Sequence, residues 1–184
     1  MIQDNTGSSA TLPPPGPLHG LRVVDLATER AELAGRVLAD LGAEVVKVEP
    51  PGGARARFLP PFERGREGSP DGSLYWATVG LGKRNVVLDL QGEDGRARLR
   101  QLAADADVLI ESFDPGTLDA LGLGYAALRV INPSLVYVSV TPFGLDGPQA
   151  HIPATELTLE AAGGLLGLQG DGDRPPVPAG FPQA

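Results

Sequence analysis

L-R-V-V-D-L-A-T-E-R-A-E-L-A-G-R-V-L-A-D-L-G-A-E-V-V-K-V, residues 21–48, is the stretch that decides the fold. The run at 21–26 is short, apolar and β-branched, as strands are. Leu33, Val37, Leu38 and Leu41 then recur at helical spacing over 31–41, and Gly42 stands where a helix stops. A second β-branched run follows at 44–48. Strand, helix and strand within about 30 residues make a βαβ unit, whose crossover leaves the two strands parallel and right-handed.

Outward from that unit the alternation continues. A third strand is expected at 84–90, a helix at 92–104 with Leu99 and Leu102 turned inward, and a fourth strand at 108–110. One or two short helices follow at 118–130, interrupted by Gly122 and Gly124, then a fifth strand at 135–140 and a last helix at 155–163. The pattern predicts an α/β fold, a Rossmann-like doubly wound parallel sheet. Residues 50–82 are different in kind. Paired glycines at 52–53, paired prolines at 60–61, several arginines and S-P-D-G at 69–72 predict mostly loop. Loops of that length inside a compact domain are usually functional or disordered. The expected layout is a flexible arm at 1–17, an α/β domain at 18–170 and a flexible, Gly- and Pro-rich tail at 171–184.

With 184 residues, 42% of them hydrophobic, the chain can bury one core. A formal net charge of −8 leaves no basic surplus to neutralise phosphates, which argues against a nucleic-acid partner. A few placed Lys or Arg residues still suffice for a small anion. The absence of cysteine excludes disulfides, thiolate zinc sites and a cysteine nucleophile. No apolar run approaches the ~20 residues of a membrane span, and residues 1–17 lack the basic-then-apolar order of a signal peptide. A soluble, cytoplasmic protein with no membrane partner is expected.

Open α/β sheets place their ligands at the C-terminal ends of the strands. The first such turn, Ala27-Thr28-Glu29-Arg30-Ala31, has no glycine, and none occurs between Leu21 and Ala34. A dinucleotide-binding turn needs G-x-G-x-x-G there so that its backbone can approach a pyrophosphate, so a nicotinamide or flavin site is disfavoured. The turn reads either as a helix start, with Thr28 as cap and Glu29 and Glu32 in the first turn, or as a ligand-contacting loop. Lys83 and Arg84 are either a solvated strand edge or a grip on the phosphates of an anionic cofactor. After the fourth strand comes E-S-F-D-P-G-T-L-D-A-L-G, residues 111–122. Phe113 either stacks on an adenine face or plugs the core beneath the following helix. His151 reads as a surface loop histidine, and Glu156 as a helix-start charge.

Four runs together resemble the family III CoA-transferases, the group that includes formyl-CoA transferase, carnitine CoA-transferase and the α-methylacyl-CoA racemases. Residues 38–51, L-A-D-L-G-A-E-V-V-K-V-E-P-P, are similar to that family's L-A-D-L-G-A-x-V-I-K-V-E-x-P. Residues 80–90, G-L-G-K-R-N-V-V-L-D-L, resemble N-x-x-K-R-S-V/I-x-L-D-L, and residues 111–122 resemble E-N-F-R/S-P-G-x-x-x-x-L-G. Residues 132–148, N-P-S-L-V-Y-V-S-V-T-P-F-G-L-D-G-P, resemble N-P-x-L/I-V/I-Y-x-S-I/V-S/T-G-F-G-x-x-G-P. The resemblance implies CoA transfer between carboxylic acids, with an acyl-CoA and a carboxylic acid as substrates and no metal. It implies coenzyme A contacts from Ala27, Thr28, Lys83, Ser112 and Phe113, and places Gly144 and Glu156 in loops near the acyl end.

The chain also departs from the family pattern. Gly80 and Ser112 stand where the family has Asn, and Glu32-Leu33 replaces Gly-Pro. Thr155 occupies the position of the racemases' catalytic His, and threonine is no base near neutral pH, so racemase chemistry is not expected. The transferases use an Asp nucleophile that forms a mixed anhydride with the acyl group, in a segment like P-P-V-x-x-G-x-P-x-G-D. This chain reads P-P-V-P-A-G-F-P-Q-A at 175–184, and Asp171 and Asp173 do not match that segment. No catalytic residue is therefore assigned, and the chain as given is expected to lack transferase activity. Intact members form interlocked homodimers. The alternative is a non-catalytic CoA-binding half or partner subunit.

Overall fold

The computed structural model describes residues 16–170 and 172–177. Apart from Gly16 and Pro17, the expected arm lies outside the described residues, as do Asp171 and residues 178–184 of the expected tail. Strands β1 (Arg22–Leu26), β2 (Glu44–Glu49), β3 (Lys83–Val87), β4 (Val108–Glu111) and β5 (Val136–Ser139) form one sheet in the order β3-β2-β1-β4-β5. Every neighbouring pair is parallel. The winding direction reverses between β1 and β4, so the sheet is doubly wound and Rossmann-like. Helices α1 (Glu32–Asp40), α2 (Leu74–Val79), α3 (Glu93–Ala104), α4 (Thr117–Ala120), α5 (Tyr125–Ile131) and α6 (Glu156–Ala162) complete it.

Side chains alternate along each strand, so the two faces of the sheet gather different sets. Val24, Leu26, Val48, Leu88 and Leu109 meet Leu99 of α3, Leu118 of α4 and Leu128 of α5 on one face. Leu99, Leu109, Leu123 and Leu128 are fully enclosed; burying each contributes about 1.5–3 kcal/mol. Val23, Val45 and Ile110 form the other, smaller cluster, against which Leu38 and Ala39 of α1 pack.

Helix α1 does not obey its own apolar spacing. Leu33, Val37 and Leu41 are 61%, 47% and 40% exposed, while Glu32 and Gly35 are buried against the sheet. A charged group has drawn the helix round. Gly35 is what allows the close approach, because a Cβ there would stand 2.1 Å from Asp25 Oδ2.

Residues 50–82 hold more structure than their turn residues suggest. A 3₁₀ turn at Arg55–Phe58 and helix α2 bring Ala54, Ala56, Trp76 and Val79 into a separate apolar cluster. Ser73 caps α2 by accepting from Trp76 N at 3.1 Å and donates its hydroxyl to Leu59 O at 2.6 Å. The Arg57 guanidinium lies 4.3 Å above the Trp76 ring. No helix among the described residues is long and apolar enough to cross a membrane.

In an ordinary helix interior, Gly→Ala gains about 1 kcal/mol. Gly35→Ala is expected to do the opposite, costing about 1–3 kcal/mol by overpacking against Asp25. A thermal unfolding curve should show a midpoint lowered by several degrees, and an unchanged or raised midpoint would contradict the tight contact.

Candidate functional site

Four ionised side chains meet beneath the first strand-to-helix turn. Asp25 on β1, Glu32 on α1, Lys47 on β2 and Lys83 on β3 all have side chains 0–1% exposed. Lys83 Nζ lies 2.7 Å from Asp25 Oδ2 and 2.9 Å from Glu32 Oε2, and donates to Glu32 O at 2.8 Å. Lys47 Nζ lies 2.7 Å from Glu32 Oε1 and 3.4 Å from Asp25 Oδ1. Two cations and two anions balance. Burial raises the Glu32 carboxyl above its ordinary pKa, although Lys47 and Lys83 pull the other way. The phosphate role anticipated for Lys83 is not supported here: its three donors are all used inside the protein, and its side chain is fully enclosed.

The cluster fixes the turn above it. Asp25 Oδ1 accepts from Ala27 N at 2.8 Å, and the Lys47 ammonium donates to Ala27 O. Thr28 N then donates to Ser112 Oγ at 2.7 Å, and the two hydroxyls lie 2.8 Å apart. These bonds join the loops leaving β1 and β4. Thr28 is accordingly no helix cap; α1 begins at Glu32, behind Ala31, with no side-chain cap. Tyr75 of α2 donates its phenol to Glu29 O at 3.0 Å. Burial and the neighbouring Glu32 push that phenol up to about 12, so it stays a donor.

A second cluster shapes the loop leaving β2. Glu49, 2% exposed, takes both nitrogens of the Arg57 fork at 2.6 and 2.7 Å and also accepts from Ala54 N at 2.8 Å. Burial opposes ionisation of Glu49, but the Arg57 and Ala54 hydrogen bonds outweigh it and hold the carboxyl below its ordinary value.

Between these loops lies a cavity of about 340 Å³. Ala27 and Thr28 from the end of β1, Val48 and Pro50 from β2, and Ser112 and Phe113 from β4 line it. It stands at the point where the strand order reverses, outside the carboxyl ends, which is where such sheets hold ligands. Phe113 packs against the large core cluster, as a core plug would, and also lines the cavity. Two arginines that the sequence reading passed over stand at the rim. Arg30 lies 2.9 Å from Asp114, and Arg55 lies 3.0 Å from Glu29. The Arg30–Asp114 pair is exposed, and such pairs contribute only about 0–1 kcal/mol, so an anionic ligand can replace that carboxylate at little cost; Arg55 is itself exposed, while its partner Glu29 is half-buried. Their signal was their place in the sequence, shortly after the ends of β1 and β2.

A neighbouring cavity of about 220 Å³ shares Arg30 and Asp114 and extends to Pro142 and His151. Gly144, at φ +88°, and Glu156, in the first turn of α6, line neither cavity. Thr155 caps α6 with Thr158. A larger hollow of about 610 Å³ opens at the N-terminal ends of the strands, lined by Val24, Val46 and Val86. Its position is the wrong end of a parallel sheet for chemistry. Among the described residues no group of three or more His, Asp or Glu side chains is placed to hold a metal ion.

Residues 18–184 match the family model described as CoA-transferase family III. The chain belongs to that family. Among its family III relatives, the succinate–glutarate CoA-transferase of Agrobacterium fabrum is 41% identical over 167 residues, covering 89% of this chain and 42% of the relative. The acetyl-CoA:oxalate CoA-transferase of Acetobacter aceti is 40% identical over 169 residues, covering 91% and 42%. The crystal structure of a CAIB/BAIF family protein from Brucella suis superposes with a TM-score of 0.83 at 40% identity, covering 91% of this chain and 44% of that one. This chain thus spans less than half the length of the family III proteins it matches.

Glu49→Gln is expected to destabilise the protein by about 3 kcal/mol, because it leaves the Arg57 fork half-paired. The stabilisation from a depressed carboxyl is complete above the unfolded pKa of about 4.3 and is lost as pH falls through the lower folded value. Trp76, the single tryptophan, reports the event by a red shift in emission. Urea titrations of wild type and variant from pH 7 to pH 3 check it; equal pH dependence in the two would contradict the role given to Glu49.

Proposed function

We propose that this chain supplies the coenzyme A side of a CoA transfer between carboxylic acids, with an acyl-CoA as donor and a carboxylic acid as acceptor. The observation that carries the reading is the strand-end cavity, lined by the aromatic Phe113 and by Arg55. Its volume, about 340 Å³, falls within the range of small-molecule sites. Phe113 offers a ring for the adenine, and a stacked base gains about 1–3 kcal/mol from such a contact. Arg55 offers a fork for a phosphate in exchange for Glu29. Ala27, Thr28 and Ser112 give a wall whose polar groups are already bonded to one another, so they hold their positions before ligand arrives. The relatives' names, succinate–glutarate CoA-transferase and acetyl-CoA:oxalate CoA-transferase, support the reaction class.

The reading extends to assembly and location by family resemblance: an interlocked homodimer in the cytoplasm. The exposed apolar residues Leu33 and Val37 of α1 and Val136 of β5 offer surface for such packing. The acyl exchange itself is assigned to no side chain among the described residues.

Titration calorimetry with coenzyme A tests the binding half. Saturable binding is expected, with Phe113→Ala about tenfold weaker, which is the lower part of the stacking range. Absence of binding at millimolar coenzyme A, or equal affinity in Phe113→Ala, would overturn the site. Binding without any exchange of CoA onto an acceptor acid would favour a non-catalytic CoA-binding module.

A further inference from the structure

We infer that Arg30 selects the substrate, holding a second carboxylate at the far end of the acyl group, so that the thioesters taken are those of dicarboxylic acids. The inference rests on the coenzyme A reading of the larger cavity and deepens it. Arg30 and Asp114 are the two residues common to both strand-end cavities, and they form the partition between them. A molecule with its nucleotide end in the larger cavity and its acyl end in the smaller one passes this pair.

The smaller cavity, about 220 Å³, is below the size of a whole-ligand site and suits the end of one. Apart from Arg30, Asp114 and His151, its lining is Pro115, Pro142, Ala150, Ile152, Pro153 and Ala154, which offer no charged side chain. Any anion that enters therefore meets Arg30 as the cation of the site.

The state of Arg30 fits that use. Its guanidinium has five N–H donors, and among the described residues it makes one ion pair, Nη1 to Asp114 Oδ1 at 2.9 Å. Asp114 is 77% exposed and is held to Arg30 by that contact alone. A carboxylate bound through one oxygen at the surface is readily exchanged for one that engages the fork through both. Asp114 acts as an internal stand-in that keeps Arg30 oriented until a ligand carboxylate displaces it. By contrast Lys47, Lys83 and Arg57 are committed to buried partners and cannot serve.

The test compares glutaryl-CoA with pentanoyl-CoA, which has the same number of acyl carbons and ends in a methyl group, by calorimetry on the whole chain, with coenzyme A as reference. Wild type is expected to bind glutaryl-CoA about tenfold or more tightly than pentanoyl-CoA, the scale of a charge-assisted hydrogen bond. Arg30→Met brings that ratio to about one, Arg30→Lys gives an intermediate ratio, and Asp114→Asn raises it by removing the competitor. A ratio near one in wild type, or a ratio that survives Arg30→Met, overturns the inference while coenzyme A binding leaves the cavity reading intact. Uniform weakening of all three ligands in Arg30→Met, with the ratio preserved, makes Arg30 a phosphate contact and also overturns it. Failure of all three to bind wild type overturns the cavity reading and the inference together.

Discussion

The buried group of Asp25, Glu32, Lys47 and Lys83 constrains more of this fold than any apolar contact does. It ties three adjacent strands and one helix through side chains removed from water. Taking a lone charge into such a place costs several kcal/mol, so each member is tolerated only because the other three are present. That interdependence fixes the rotation of α1. To deliver Glu32 the helix turns its polar side inward, Gly35 clears the way, and Leu33, Val37 and Leu41 are left facing out.

The same group braces the wall of the strand-end crevice without lining it. Asp25 and Lys47 hold the N–H and the carbonyl of Ala27, Thr28 is carried to Ser112, and the two loops at the switch point become one wall. Glu49 and Arg57 do the equivalent for the wall that leaves β2. The D-L-A and K-V-E runs are thus explained as scaffold. Their charged residues act on the backbone of the site, while the groups that can reach a ligand, Phe113, Arg55 and Arg30, sit in the loops beyond them. Arg30 and Arg55 place two cations at this rim although the chain as a whole carries a net charge of −8.

Much of this was legible in advance. Strand and helix runs announce themselves through β-branched stretches and 3.6-residue spacing, and the parallel order follows from the length of the crossovers. That Ala27, Thr28, Ser112 and Phe113 line one cavity was legible because they follow the ends of neighbouring strands in a doubly wound sheet. What stayed hidden depended on pairing across the sequence. Lys83 looks like a free cation until Asp25 and Glu32, 58 and 51 residues away, are brought onto it. The orientation of α1 was obscured for the same reason, since apolar spacing carries no information about a carboxylate that must be neutralised. Helix α2 was masked by the Pro- and Gly-rich residues before it, although Ser73 ahead of L-Y-W-A-T-V is a sound capping signal. Arg30 and Arg55 were passed over because their importance comes from which loops they stand on.

A double-mutant cycle on Glu32→Gln and Lys83→Met, read by urea unfolding at neutral pH, tests the buried charge group most directly. If the four charges hold one another in place, each single variant loses about 3–5 kcal/mol, and the double variant, which leaves Asp25 and Lys47 as a neutral pair, falls short of the sum by about 2 kcal/mol or more. Small, additive losses below about 1 kcal/mol, the size expected of solvated pairs, would show that the group is not what sets α1 and the turn above it.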